Sequence, residues 1–395
     1  MFKKIKFQRP HYFSQHPSQG LKDLYWSVGL KDFALAAVTI FEPIYLYTLG
    51  YSLQSIMLFY LIIYGAYVLL LPLFGRVISR IGLEHSIFYS QFVLIFYFIL
   101  LFSIPQVGLL FYIAPLFCAL YKSFYWPAYH ADFVSFSQDG QRGREVGGLE
   151  TLSVFVYILG PLIGGAIIEW TSFGVLFFCA SILFIISSIP LFRIKEIHGK
   201  MDYSYSQAWR QLFDKEHRRY SLAYFGFGEE MIVLTLWPVF IFIVVKNYLE
   251  IGALIAVTTF VTSIIVLYLG RASDKYRRDK IMRSGIIIYF FTWLLRGFAS
   301  VPWHVFGLDA SSRFSKEMLF VPLQVITYSK AKEIGALSYA VFFEQSLAVA
   351  KFFAALLAII IIYIFSSPWV PLFILAAIFS LFYLFLKDVK KVATT

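Results

Sequence analysis

Runs of about twenty apolar residues, separated by short polar turns, recur along the whole chain. They fall at 24–48, 53–74, 86–104, 107–129, 146–168 and 174–192. A polar stretch over 193–219 follows, and further runs fall at 221–245, 251–269, 281–299, 304–328, 334–365 and 370–386. Each is long enough to cross hydrocarbon as a helix. Apolar residues are continuous within the runs rather than alternating, and an open sheet edge finds no partner in lipid, so the pattern predicts helices. The expected fold class is all-α integral membrane, with twelve transmembrane helices.

Composition agrees with that reading. Of 395 residues 59% are apolar, 20% aromatic and only 14% charged, whereas about a quarter of an ordinary soluble domain is charged. A soluble enzyme is excluded, because the chain could not enclose so much apolar surface in one core. Cys118 and Cys179 both sit inside apolar runs and offer neither a disulfide framework nor a thiolate metal site. The first twenty residues are basic and polar without an apolar core, so they do not read as a signal peptide, and the first span is expected to direct insertion.

The net charge of +11 would raise nucleic acid as a partner in a soluble protein. Position decides otherwise. Lys3, Lys4, Lys6, Arg9 and Lys22, Arg76 and Arg80, Arg142 and Arg144, the basic residues of 193–219 and of 271–283, Lys330 and Lys332, and Lys387, Lys390 and Lys391 all fall on one set of connecting segments. Lys246 alone falls on the other. The positive-inside rule then predicts both termini in the cytoplasm, and nucleic acid needs no invoking. Trp170, Trp303 and Trp369 mark the opposite, outer turns as interfacial anchors.

The two sets of six runs look like copies. Pro43 and Pro238, Gly75 and Gly270, and Pro127 and Pro322 are each 195 residues apart, in matching contexts. A tandem duplication with parallel topology follows. The segment Gly75-Arg-Val-Ile-Ser79-Arg80-Ile-Gly82, and its duplicate Gly270-Arg-Ala-Ser-Asp274-Lys275-Tyr-Arg-Arg278, resemble the loop signature G-x-x-x-D-[RK]-x-G-[RK]-[RK] of the major facilitator superfamily of secondary transporters. Ser79 replaces the usual acid in the first copy, and the second lacks the second glycine. Gly160-Pro161-x-x-Gly164-Gly165 is similar to a signature associated with antiporters.

That resemblance implies two parallel six-helix repeats, with spans one, four, seven and ten lining a central cavity and five and eleven beside it. The organisation expected is a cytoplasmic segment 1–23, a bundle 24–192, a cytoplasmic linker 193–219, a second bundle 220–386 and a tail 387–395. Gly75, Arg76, Arg80, Gly270, Asp274, Lys275 and Arg278 would form gating loops, since charge-assisted bonds at helix ends can hold in one conformation and release in another. Topology alone would account for the basic residues, though not for the glycine and aspartate spacing. The linker is expected to hold a short amphipathic helix around 206–213 at the inner surface.

Ionisable groups inside spans are expensive and mark function. They are Asp32, Glu42, Lys122, Glu150, Glu229, Glu230, Arg296, Asp309, Arg313, Lys316, Glu317, Glu344 and Lys351. Nearly all lie on the spans that the resemblance puts at the cavity; Arg296 does not, and snorkelling or a structural pair would explain it. Asp309, Arg313 and Glu317 stand four apart as a ladder on one helical face, structural or functional. Lys316, Lys122 and Lys351 then need carboxylates on other helices, with Glu42, Glu229, Glu230 and Glu344 available, and pairs crossing between halves would act as switches. Desolvation disfavours a carboxylate's charge, which makes Glu230 and Glu344 the first candidates for carrying a proton and Glu42 the third. Tyr125, Trp126, Trp237, Gln324 and Gln345 are the candidate solute contacts, weighed against plain packing in a chain with 44 Phe and 27 Tyr.

His130 and Asp132 stand two apart, but no ligand spacing supports a metal, and no phosphate loop supports ATP-driven transport. The expected protein is a secondary transporter of a small solute by alternating access, coupled to protons, without cofactor, acting as a monomer among the lipids of the cell membrane. A non-transporting receptor or scaffold of similar fold and a lipid flippase or scramblase are the alternatives. An embedded enzyme is not expected, since no nucleophile, base and oxyanion set is present.

Overall fold

The apolar runs fold as helices, and no strand occurs among the described residues, which are 19–136, 142–189, 201–273 and 278–386 of a computed structural model. The first half contains α1 (Gln19–Thr39), α2 (Phe41–Thr48), α3 (Leu53–Ile81), α4 (Leu83–Phe102), α5 (Leu110–Phe136), α6 (Arg142–Trp170) and α7 (Phe173–Ser188). The linker contributes α8 (Tyr205–Phe213), begun by the side chain of Ser204 accepting from the Gln207 amide. The second half contains α9 (Arg218–Tyr224), α10 (Trp237–Val245), α11 (Tyr248–Ser273), α12 (Arg278–Leu295), α13 (Pro302–Ile334), α14 (Ala336–Ile364) and α15 (Trp369–Leu381). Five stretches among the described residues are long and apolar enough to cross a membrane, Leu53–Ile81, Leu83–Phe102, Arg218–Val245, Lys280–Phe298 and Ala336–Ile364. Shorter apolar helices, Val154–Trp170, Phe173–Ser188, Tyr248–Ile264 and Trp369–Phe385, accompany them.

Two of the expected continuous spans are interrupted. The first breaks at Ile40, between α1 and α2, just before the Glu42-Pro43 step, where proline removes a backbone donor. The seventh is broken more deeply: a 3-10 turn Phe225–Glu229 and a π turn Ile232–Leu236 separate α9 from α10. Pro238 stands in the first turn of α10, where its missing N–H costs nothing. Glu229 and Glu230 lie at the junction of these irregular turns, a backbone arrangement that recurs at functional sites.

Packing follows the duplication. In the first half α4 packs on α5, α3 on α5, and α1 on α6 and α7; in the second half α12 packs on α13, α11 on α13, and the 225–229 turn on α14 and α15. The halves meet along two seams, α3 against α14 and α6 against α11. The second seam is backbone to backbone: a Cβ on Gly252 would stand 2.3 Å from the Pro161 carbonyl oxygen, and one on Gly165 2.3 Å from that of Tyr248. Outward-facing positions such as Phe92, Phe178, Phe291 and Ile360 form an exposed apolar belt, as lipid contact demands.

α8 packs on both α3 and α14, and so marks a linker end of the molecule. There the Tyr203 hydroxyl donates to the Pro72 carbonyl at 3.0 Å and its ring covers Gly75, leaving no room for a Cβ. Arg76 and Arg80 are exposed at the same end. Gly270 lies within α11 and Arg278 begins α12, while Asp274 and Lys275 lie outside the described residues.

Candidate functional site

The irregular turns of the seventh run place two carboxylates inside the second half. Glu229 is fully buried and accepts from Lys316 and from the Tyr289 hydroxyl at 2.6 Å, with the Tyr383 hydroxyl at 3.4 Å. Glu230 accepts from Lys316 at 3.2 Å and from Lys351 at 2.7 Å. Lys316 is thus not the unmatched cation that a single-helix ladder leaves; it joins α13 to the broken helix, and Lys351 joins α14 to it. All three ion pairs stay within the second half rather than crossing between halves.

A second cluster does cross. Glu344, buried on α14, accepts from the Tyr67 hydroxyl of α3 at 2.8 Å and bonds His130 Nε2 of α5 at 2.9 Å. His130 Nδ1 in turn meets the Tyr328 hydroxyl of α13 at 3.1 Å, and the ring stacks on Trp126. Gln345, next along α14, reaches the Val68 carbonyl at 3.4 Å while its own side-chain oxygen is buried without a partner. All of this lies toward the linker end.

At the opposite, far end a second crossing contact occurs. Glu169, at the end of α6, accepts from Asn247 Nδ2 and from the Tyr248 amide, both at 3.0 Å. The carboxylate of one half thereby caps the first turn of α11 in the other, where the orphan amides and the helix dipole favour an anion.

Asp309 is the hub of a third cluster, accepting from Arg313 at 2.7 Å, from Trp237 Nε1 at 3.1 Å and from Thr258 at 3.0 Å. The first rung of the expected ladder is therefore formed. Arg296, 1% exposed, does not snorkel; its guanidinium stacks on Trp237 and Trp293 at 4.0 and 3.8 Å from the ring centroids. None of its side-chain nitrogens has a hydrogen-bond partner, so it is held by ring faces and by the field of Asp309 and Glu229.

In the first half Asp32 pairs at 2.9 Å with Lys31, which also bonds Tyr125. Tyr125 is stacked between Tyr121 and Tyr129. Glu42 accepts from Tyr60 at 2.8 Å and lies in the field of Lys122. Lys122 and Lys351 approach the same Tyr64 ring, at 5.6 and 5.2 Å from its centroid. Gln324 is half-buried, and the side chain of Glu150 lies outside the described residues.

Lys31, Tyr67, His130, Glu169 and Tyr289 are absent from the residues that the sequence singled out for binding. Lys31 stands in the first span and could have been found by the same rule that gave Asp32; nothing in the pattern marks the tyrosines among so many. The surface cleft of about 510 Å³ lined by Ser52, Gln54, Tyr363 and Pro368 at the far end touches none of these clusters.

The model of the family described as Major Facilitator Superfamily matches residues 24–249, from the first apolar run to the start of α11. Comparison with curated proteins returns no match. With apolar helices long enough to span lipid and buried ionised clusters on interrupted segments, the chain is an integral multi-pass membrane protein that belongs to the major facilitator superfamily of secondary transporters.

Proposed function

We propose that this protein carries a small solute across the cell membrane by alternating access, with proton coupling through Glu344. Twelve spans in two bundles, 24–192 and 220–386, would rock about the seams α3–α14 and α6–α11, with the linker end and both termini cytoplasmic. The observation that carries the reading is the Glu344 cluster, in which one half offers a carboxylate and the other Tyr67 and His130. Such a contact exists only while the linker end is closed. Protonating Glu344 removes the charge that both donors address, and losing the proton restores it, so closure and proton binding become linked. Glu169 does the corresponding work at the far end with backbone and amide donors. Lys316 and Lys351 hold Glu229 and Glu230 inside one bundle, which keeps that bundle rigid while it moves. The protein would act as a monomer.

Reconstitution into proteoliposomes tests the reading. Solute counterflow and uptake driven by an imposed pH gradient are expected, and Glu344→Gln should abolish the gradient's effect while exchange persists. Binding without flux across a broad solute panel would favour a receptor, and movement of labelled phospholipid a scramblase. Cysteine labelling that put positions 85 and 334 outside the cell would overturn the topology.

A further inference from the structure

Lys122 is a lysine at the middle of the molecule with no counter-ion among the described residues. It stands about 20 Å from either end of α5, at 1.5 Å per residue, farther than its stem can snorkel. Lys351 stands at the same depth on α14, about 20 Å from either end, in the other half. Their ammonium groups approach one nearly buried ring, Tyr64 of α3, and each feels the other's charge as repulsion.

Buried charges are ordinarily paired, and around Lys122 every described carboxylate is engaged elsewhere. Glu230 bonds Lys351 and shares Lys316. Glu344 bonds Tyr67 and His130, and Glu42 bonds Tyr60; both act on Lys122 through their fields without an ion pair. Lys122 itself makes no ion pair among the described residues; its ammonium lies 5.6 Å from the centroid of the Tyr64 ring. The packing of α14 on α3 and α5 brings these like charges together from opposite halves, where repulsion between them opposes closure unless something negative lies between.

The geometry points to a carboxylate- or phosphate-bearing solute bound between Lys122 and Lys351 against the Tyr64 ring. The inference rests on the transport reading and adds the substrate class to it. An anionic group there gives Lys122 the partner it lacks and competes with Glu230 for Lys351, while Glu230 keeps Lys316. One solute anion contacted from both halves also favours the closed form by differential binding, which solute-driven movement requires.

The test uses the full-length protein in nanodiscs, with succinate, glycerol phosphate and inorganic phosphate as anionic probes, glucose as a neutral one and tetraethylammonium as a cationic one. Thermal unfolding should rise with at least one anion and with neither of the others. The dissociation constant of that anion should increase about tenfold or more in Lys122→Ala, the loss of one bond to a charged group. Lys122→Arg should retain most of the affinity, which separates loss of charge from loss of fold, as should an unchanged unfolding temperature of unliganded Lys122→Ala. Stabilisation by glucose or tetraethylammonium alone, no response to any anion, or anion affinity indifferent to Lys122→Ala each overturns the assignment. Uptake of a neutral solute that still follows the pH gradient would remove the anion and leave proton-coupled transport standing. Anion binding lost in Lys122→Ala together with uptake indifferent to Glu344→Gln would do the reverse.

Discussion

Tyr67→Phe isolates the contact between the halves. The substitution removes the hydroxyl that donates to Glu344 at 2.8 Å and keeps the ring, which is 1% exposed and packs edge-on against Tyr64. A hydrogen bond to a charged group contributes roughly 1.5–3 kcal/mol. Tyr67 and Glu344 belong to different halves, so on the alternating-access reading proposed above the bond holds only when the linker end is closed, and its loss would destabilise that state alone. The balance between closed and open linker end should then move toward open by about 10- to 150-fold. Spin labels at His85 on α4 and Ile334 on α13, both exposed, would report the change as a longer and broader distance distribution by double electron–electron resonance. Tyr60→Phe is the control. It removes a bond of the same length and kind, to Glu42, but between α3 and α2 of one half. The reasoning fails if Tyr67→Phe leaves the distribution unchanged, or if Tyr60→Phe moves it equally.

At the far end, Glu169→Gln weakens the acceptor for Asn247 and Tyr248, exposed enough that about 0.5–1.5 kcal/mol is expected; labels at Thr171 and Tyr363 should separate, opposite in sense to the Tyr67 effect. Gly252→Ala forces a Cβ against the Pro161 carbonyl, which has no flexible end to move aside. That overpacking should cost about 1–3 kcal/mol, seen as a lower unfolding temperature, whereas Gly307→Ala, with open space around it, should not lower it. Lys316→Met strands the fully buried Glu229 and should destabilise by about 3–5 kcal/mol, with part of the loss recovered when Glu229→Gln is added.

The helices were legible because lipid imposes one rule on every span: apolar length without open backbone. The irregular turns at 225–236 were signalled only indirectly. Gly226 and Gly228 stand just before the acidic pair, and in the fold both lie against rings of the last run, with no room for a Cβ beside Tyr383 or Phe379. Partnership was legible within a helix and not between helices. Asp309 and Arg313 meet because four residues make one turn, but which carboxylate Lys316 reaches depends on how α13 is rotated against the broken segment, and no periodicity records that. Hence Lys316 looked unmatched, and nothing at Glu169, at a helix end beside Trp170, pointed to the other half.

The division between pairs inside one half and pairs between halves sorts the charged residues by role. Lys316 with Glu229 and Glu230, and Lys351 with Glu230, tie three segments of the second half together. Breaking such a pair should lower stability in every state alike if the bundle moves as a body, because its geometry is internal to one half. Glu344 with Tyr67 and His130, and Glu169 with Asn247 and Tyr248, would under alternating access differ in energy between states by their whole strength. Their removal shifts populations with little effect on unfolding. Lys351 belongs to both groups, since it bonds Glu230 within its own half, faces Tyr64 of the other and acts on Lys122 there through its charge. Lys351→Met should therefore lower the unfolding temperature and alter the label distances together. A variant that changed only one of the two would show that the second-half cluster and the centre between the halves are energetically separate.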